Sequence, residues 1–74
     1  MTAKQAEMLK TKIKSRGLKI EYVAKVLGLS RTGLWLRFKG KSYFDVRQVS
    51  RLIELLELTM GEVQEIFFNE DVEH

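Results

Sequence analysis

Cysteine and proline are absent from this chain, and histidine occurs once, at His74. Without cysteine there are no disulfides or thiolate metal sites, and without proline helices can run uninterrupted. The apolar runs are far shorter than the roughly 20 residues that a membrane-spanning helix needs, and no signal-peptide pattern is present. We therefore expect no membrane association, and a cysteine-free chain of this kind suits the cytoplasm.

An enzyme is equally unexpected. No Ser–His or carboxylate pair occurs in a context that would form a pocket, and no glycine-rich phosphate loop is present. The lone His74 provides no metal site. We expect no cofactor, no metal, no catalytic residue and no small-molecule ligand.

The 74 residues are enough for one small domain, and 45% of them are hydrophobic. A domain of this size buries only roughly 60% of its unfolded surface, so binding to a partner would stabilise it. We expect residues 1–74 to form a single domain whose polar tail, residues 69–74, frays.

Charge is divided unequally along the sequence. All thirteen basic residues precede residue 52, where they are accompanied by three acids, a balance of +10. Residues 52–74 contain seven acids and no base, a balance of −7. Such an asymmetry indicates one part that faces a polyanion and another that faces elsewhere. The alternative is that solvated helix faces happen to cluster their charges.

Five short amphipathic patterns and no strand pattern predict an all-α domain. Three segments begin with a capping box, in which a Thr or Asp side chain and a glutamine or glutamate three residues later cap the helix: Thr2 with Gln5, Asp45 with Gln48, and Thr59 with Glu62. The second helix begins at Ile20 or Glu21. Apolar stripes starting at Val46 and at Met60 are expected to face the core in the last two helices.

The second and third helical patterns are separated only by Gly28, Leu29 and Ser30. A turn this short fixes the angle between the helices and leaves the outer face of the second helix of the pair free. That is the layout of a helix-turn-helix, whose second helix enters the DNA major groove.

Successive side chains of an α-helix are rotated by 100°, and this rotation shows which residues of the third helix share a face. Leu34 and Phe38 point to the core, Thr32 and Leu36 point outward, and Trp35 lies on the flank. Arg31 falls only about 60° from Leu34 in this count, but it belongs to the first turn, where its long side chain can swing outward. The candidate base-reading residues are therefore Arg31, Thr32 and Leu36, with Trp35 beside them. Arginine can bond guanine O6 and N7 together, threonine can bond several base edges, and leucine can touch only a thymine methyl. Trp35 and Leu36 could instead be core or partner-binding residues.

Candidate phosphate-binding residues surround this helix, and they position a protein without reading sequence. They are Lys19, Tyr22, Ser30, Arg37, Lys39, Lys41, Ser42 and Tyr43. Ser30 would cap the helix with or without DNA, and a tyrosine such as Tyr43 is often simply half-buried.

At these residues the chain resembles the lambda-repressor-like family, the Cro and phage-repressor type of helix-turn-helix, also called the xenobiotic-response-element family. The turn V-A-K-V-L-G-L-S, the helix S-R-T-G-L-W-L-R-F-K-G and the later F-D-V-R-Q-V-S-R-L-I-E-L-L-E-L-T-M-G-E-V carry the resemblance, which spans about residues 4–68. It implies a five-helix domain and a transcriptional regulator. Such a regulator is usually a homodimeric repressor on a palindromic operator in a bacterial or phage-infected cell, associated with the nucleoid.

The resemblance also indicates where this chain departs from its pattern. Many members have a phosphate-binding glutamine where Ile20 stands here, so Lys19 replaces that contact or the contact is absent. Many have an apolar residue at the position of Arg37, whose stem could pack while its head reaches phosphate. Leu36 replaces a more informative polar side chain, so specificity is expected to depend mainly on Arg31 and Thr32.

Two hypotheses for partners follow from the sequence. The leading one is a repressor that binds double-stranded DNA as a dimer. Four apolar residues of the acidic part would make the dimer contact, although the same residues could simply close the core. These are Leu55, Leu58, Phe67 and Phe68. The alternative is a protein-interaction module, such as an antirepressor or an antitoxin-like partner binder, in which the acidic part makes the contact.

Overall fold

The computed structural model describes residues 1–68, and within that range the chain forms five α-helices and no strand. The predicted all-α class is confirmed. The helices are α1 Ala3–Ser15, α2 Ile20–Leu27, α3 Arg31–Phe38, α4 Val46–Leu56 and α5 Met60–Val63, and α5 continues as a π-helical segment, Gln64–Phe68. The tail that was expected to fray, residues 69–74, lies outside the described residues.

All three predicted capping boxes are present. At the start of α1 the Thr2 hydroxyl accepts from the Gln5 N–H at 3.1 Å, and the Gln5 side-chain oxygen accepts from the Thr2 N–H at 2.9 Å. Asp45 caps α4 and Thr59 caps α5 in the same reciprocal way. Each box satisfies N–H groups that a helix start would otherwise leave unpaired. These starts are set by contacts within four residues, which is why the sequence predicts them.

The ends of α1 to α4 share one arrangement. A residue with left-handed backbone follows each helix, and the N–H of the next residue donates to a carbonyl five positions back, as in a Schellman motif. Glycine occupies the left-handed position after α1, α2 and α3, but after α4 it is Glu57, with φ of 53°. The Leu58 N–H donates to Ile53 O at 3.1 Å there.

The core lies where the inner faces of the helices meet. Its fully buried centre consists of Leu9, Ile13, Val23, Leu34, Leu52, Leu56 and Ile66. The prediction that Val46 and Met60 face the core is wrong, because they are 83% and 84% exposed. Each is the first residue of its helix, where the chain enters from a surface turn and has not yet reached the core. No helix in residues 1–68 combines the length and apolarity needed to cross a membrane.

Candidate nucleic-acid interface

The joint between α2 and α3 consists of Gly28, Leu29 and Ser30. Gly28 has φ of 73°, a conformation that costs glycine no Cβ clash. The Leu29 N–H donates to Ala24 O at 2.8 Å, and the Leu29 side chain packs against the core. Ser30 caps α3 by accepting from the Gly33 N–H at 2.9 Å. These contacts fix the orientation of α3 on α2.

The two predicted faces of α3 are confirmed. Leu34 and Phe38 are buried, whereas Arg31 and Thr32 are exposed and Leu36 is 39% exposed. Three of the four candidate base-reading side chains are therefore exposed, and the surface that these three form is called the open face of α3. Their contact with bases stays a prediction.

Arg31 does not stand alone on this face. Its Nη1 lies 3.1 Å from Oε2 of Glu21, and both side chains are 62% exposed. Glu21 was not singled out from the sequence, because the two residues are ten positions apart on different helices. Only the tight joint between α2 and α3 brings them together.

Trp35 lies on the flank of α3. Its ring packs edge-on against Phe38, with ring centroids 5.4 Å apart, and Lys10 Nζ of α1 lies 5.1 Å from the indole centroid. The side chain is partly buried against the core. The indole thus lies towards α1 and fixes α3 to the rest of the domain, rather than joining the open face of Arg31, Thr32 and Leu36.

The guanidinium of Arg37 is bound by neighbouring groups of the protein itself. Nη1 donates to Gly33 O at 2.9 Å, and the group lies 6.0 Å from the centroid of the Phe44 ring. Its Nε is buried and has no hydrogen-bond partner among the described residues. A methyl group at Gly33 would lie 3.3 Å from Ser30 Oγ and 3.7 Å from Arg37 Nη1. The helical glycine is therefore crowded by its own cap and by Arg37.

The loop after α3 exposes two of the predicted cations. The N–H groups of Lys41 and Ser42 both donate to Leu36 O, at 2.9 and 3.3 Å, so the loop folds back on the helix end. Lys39 and Lys41 are exposed, whereas Ser42 is partly buried. Tyr43 is 77% exposed. It lines a cavity of about 200 Å³ together with Ser42 and the aromatic rings of the carboxyl-terminal segment.

At the start of α2, Lys19 occupies the N-cap position without a side-chain hydrogen bond and is exposed. Ile20 packs partly buried against the core, and Tyr22 is 50% exposed. Lys19 is thus an exposed cation directly beside the partly buried Ile20.

A cationic groove that the sequence did not predict lies between the end of α2 and the start of α4. Three cations, Lys25, Arg47 and Arg51, and one acid, Asp45, line it, and its volume is about 310 Å³. Arg51 Nη1 donates to Val26 O at 3.3 Å, and within residues 1–68 none of the three cations forms an ion pair. Helical periodicity places each residue on its own surface but cannot show that two helices meet there.

Each of the three acids of the basic part has an ion-pair or hydrogen-bond partner. Glu7 lies 3.5 Å from Lys10, Glu21 pairs with Arg31, and Asp45 caps α4. In the acidic part, Glu62 is paired with a lysine of α1, since its Oε2 lies 2.7 Å from Lys12 Nζ. The hydrogen bond from Lys12 and the one from the Thr59 N–H lower the pKa of Glu62. This pair ties α5 to α1.

The residues predicted for a dimer contact are divided by the structure. Leu55, Leu58 and Phe67 pack against the core, whereas Phe68 is 60% exposed. A contact with a second copy, which stays a prediction, would therefore use Phe68 more than the other three.

Comparisons of the chain with family models, with curated proteins and with solved structures find no match.

Proposed function

We propose that the protein is a DNA-binding transcriptional regulator of the lambda-repressor-like type, with a helix-turn-helix formed by α2 and α3. One observation carries the proposal. A three-residue joint fixes α3 on α2, and α3 leaves Arg31 and Thr32 of its first turn and Leu36 further along exposed, while Leu34 between them is buried. A helix presented in this way can enter the major groove with its first turns against base edges.

The chemistry of the open face supports sequence-specific reading. Arg31 can donate to guanine O6 and N7, and Thr32 can bond a neighbouring base edge, each good contact contributing about 1–3 kcal/mol of discrimination. Leu36 can touch a thymine methyl. Trp35 contributes indirectly, since its packing against Phe38 and Lys10 fixes α3.

Exposed groups at both ends of the α2–α3 pair suit the phosphate backbone. Lys19 and Tyr22 lie at the start of α2, and Lys39 and Lys41 follow α3. The Ser30-capped amino end of α3 also attracts anions. In this proposal Arg37 and Ser42 have smaller roles, since Arg37 is held by Gly33 O and Ser42 is partly buried. Tyr43 is 77% exposed and remains a candidate phosphate contact.

The charge division supports the same function, since the basic part contains the whole α2–α3 pair. A dimer would place two copies of α3 on a palindromic operator about one helical turn apart. We infer repression by occupation of promoter DNA in the cytoplasm of a bacterial or phage-infected cell.

The experiment is selection of bound duplexes from a random pool, followed by titration of the enriched site at 50–200 mM salt. For 6–10 phosphate contacts we expect affinity to fall roughly 10³–10⁵-fold across that range.

Lys39→Glu should weaken binding to every sequence, whereas Lys14→Glu, the same change at an exposed position outside the proposed interface, should weaken it far less. Binding that is insensitive to salt and to Lys39→Glu would contradict the proposal. An enriched site without two-fold symmetry would contradict the symmetric dimer alone.

A protein-interaction module is the second candidate, because Met60 and Phe68 of the acidic part are 84% and 60% exposed. If this candidate is correct, Met60→Ser, at an exposed position outside the predicted dimer contact, will remove the measured function and Lys39→Glu will leave it intact. The opposite pattern is expected for the DNA-binding regulator.

A further inference from the structure

We propose that Glu21 is a positioning residue that holds Arg31 for guanine and weakens its attraction to phosphate, so that Glu21 sets how well the protein separates its operator from other DNA. The proposal rests on the proposed function, because it assigns a role to the base-reading Arg31. Glu21 itself need not touch DNA.

The first step is the geometry of the pair. Glu21 Oε2 lies 3.1 Å from Nη1 of Arg31 and accepts a hydrogen bond from it. Arginine has five N–H donors in a planar fork, and this bond engages only Nη1. The edge formed by Nε and Nη2 has no partner among residues 1–68 and can still donate two parallel bonds to guanine O6 and N7.

The second step concerns freedom of the side chain. Arg31 is the first residue of α3 and is 62% exposed on its side chain. Without a partner, such a side chain would sample many rotamers and could bond any nearby phosphate. The carboxylate comes from α2, which the Gly28–Ser30 joint fixes relative to α3. Glu21 therefore limits the guanidinium to positions beside the amino end of α3.

The third step is charge. The paired carboxylate offsets the positive charge of Arg31, and a phosphate approaching the pair is repelled by Glu21. Non-specific binding depends almost wholly on attraction to phosphates, whereas the bonds to guanine depend on donor geometry. The pair should thus reduce non-specific binding more than operator binding.

Glu21 also lies in the first turn of α2, where a negative charge stabilises the helix dipole. Loss of that stabilisation would lower folding stability, and with it the binding of every sequence equally. The ratio of operator affinity to non-specific affinity would not move. That ratio separates a positioning role from a structural one.

The test measures this ratio and the salt dependence for Glu21→Gln. We expect the ratio to fall about tenfold, within the range that one bidentate base contact supplies. We also expect the slope of log affinity against log salt to steepen by about 0.9, because Arg31 then engages one phosphate. Glu7→Gln is the matched control, since it makes the same charge change on α1, where Glu7 pairs with Lys10. It should alter neither quantity.

A double-mutant cycle completes the test. If Glu21 acts through Arg31, Glu21→Gln has no further effect on the ratio in an Arg31→Ala protein. If Glu21→Gln behaves like Glu7→Gln while Arg31→Ala lowers the ratio, the positioning role is wrong and the proposed function stands. If Arg31→Ala also changes nothing and binding does not depend on salt, the proposed function fails together with this inference.

Discussion

The α2–α3 joint and the α4–α5 joint are two versions of one local structure. Each has three residues: a left-handed residue, a leucine, and a hydroxyl residue that caps the next helix. These are Gly28-Leu29-Ser30 and Glu57-Leu58-Thr59. The caps have almost identical backbone angles, with φ and ψ of −76° and 165° at Ser30 and −77° and 165° at Thr59. Both leucines pack against the core.

The surroundings of the two joints differ. After Ser30 come the exposed Arg31 and Thr32, in the basic part of the chain, whereas after Thr59 come Met60 and Gly61, in the acidic part. The second joint is also tied from outside, because Arg16 donates to Leu56 O at 2.8 Å and to Glu57 O at 3.4 Å. A tight turn between helices is therefore not a sign of DNA binding by itself. The proposed DNA binding of α3 depends instead on the charge and exposure of the helix that follows the joint.

The largest expected difference between the joints is at their left-handed residue. Gly28→Ala should lower the free energy of unfolding by about 1 kcal/mol, because a Cβ disfavours left-handed backbone. Gly61→Ala is the control: it makes the same change within α5, just after the other joint, where an added Cβ meets only Thr59 Oγ1 at 3.9 Å. Urea unfolding monitored by circular dichroism measures both variants. Equal destabilisation by the two would contradict the comparison.

Replacement of Glu57, the left-handed residue of the α4–α5 joint, should change the free energy of unfolding by less and in the opposite direction. Glu57→Gly should raise the free energy of unfolding by about 0.5–1 kcal/mol, because it relieves a non-glycine residue with φ of 53° while glycine loses more entropy on folding. Arg16 binds backbone oxygens there, so its contacts survive the change. Glu57→Ala removes the charge but keeps the Cβ and should bring no such gain. If Glu57→Ala stabilises as much as Glu57→Gly, the cause is charge rather than backbone strain.

The smallest expected effect is a dependence on pH at the α4–α5 joint. The pKa of Glu62 is lowered, first by the hydrogen bond from Lys12 and then by the Thr59 N–H. A depressed pKa contributes stability that is present above the unfolded-state pKa and is lost as pH falls through the folded-state value. Acidification should therefore loosen α5 from α1 by this route, measurable as lower amide protection factors after Thr59, each observed exchange rate being divided into the intrinsic rate at the same pH. Glu62→Gln should lose this pH dependence, and its persistence would show that another group titrates.

Local contacts account for the parts of the fold that the sequence predicts. The three capping boxes, the Ser30 cap and the stops at Gly17 and Gly28 depend on residues within about five positions of one another. Periodicity also predicts which side chains of α3 are buried, Leu34 and Phe38, and that Thr32 and Leu36 are exposed, because one helix turn repeats regularly. It does not show where a helix first meets the core, which is why Val46 and Met60 are exposed.

The parts of the candidate site that the sequence missed depend on contacts between elements. Glu21 reaches Arg31 across the joint, and Trp35 turns towards Lys10 of α1. Arg37 finds Phe44 beyond the end of its own helix. Spacing along the chain contains no information on which helix lies next to which, so these partners become visible only with the packed structure.

Trp35 is the single tryptophan of the chain, and its position between α3 and α1 gives the protein an intrinsic optical probe. Indole emission depends on the polarity around the ring, so separation of α3 from α1 would shift its wavelength without any added label. The ring adjoins, but does not occupy, the open face of Arg31, Thr32 and Leu36. Fluorescence can therefore follow the folding of the domain and the binding of an added duplex in the same cuvette.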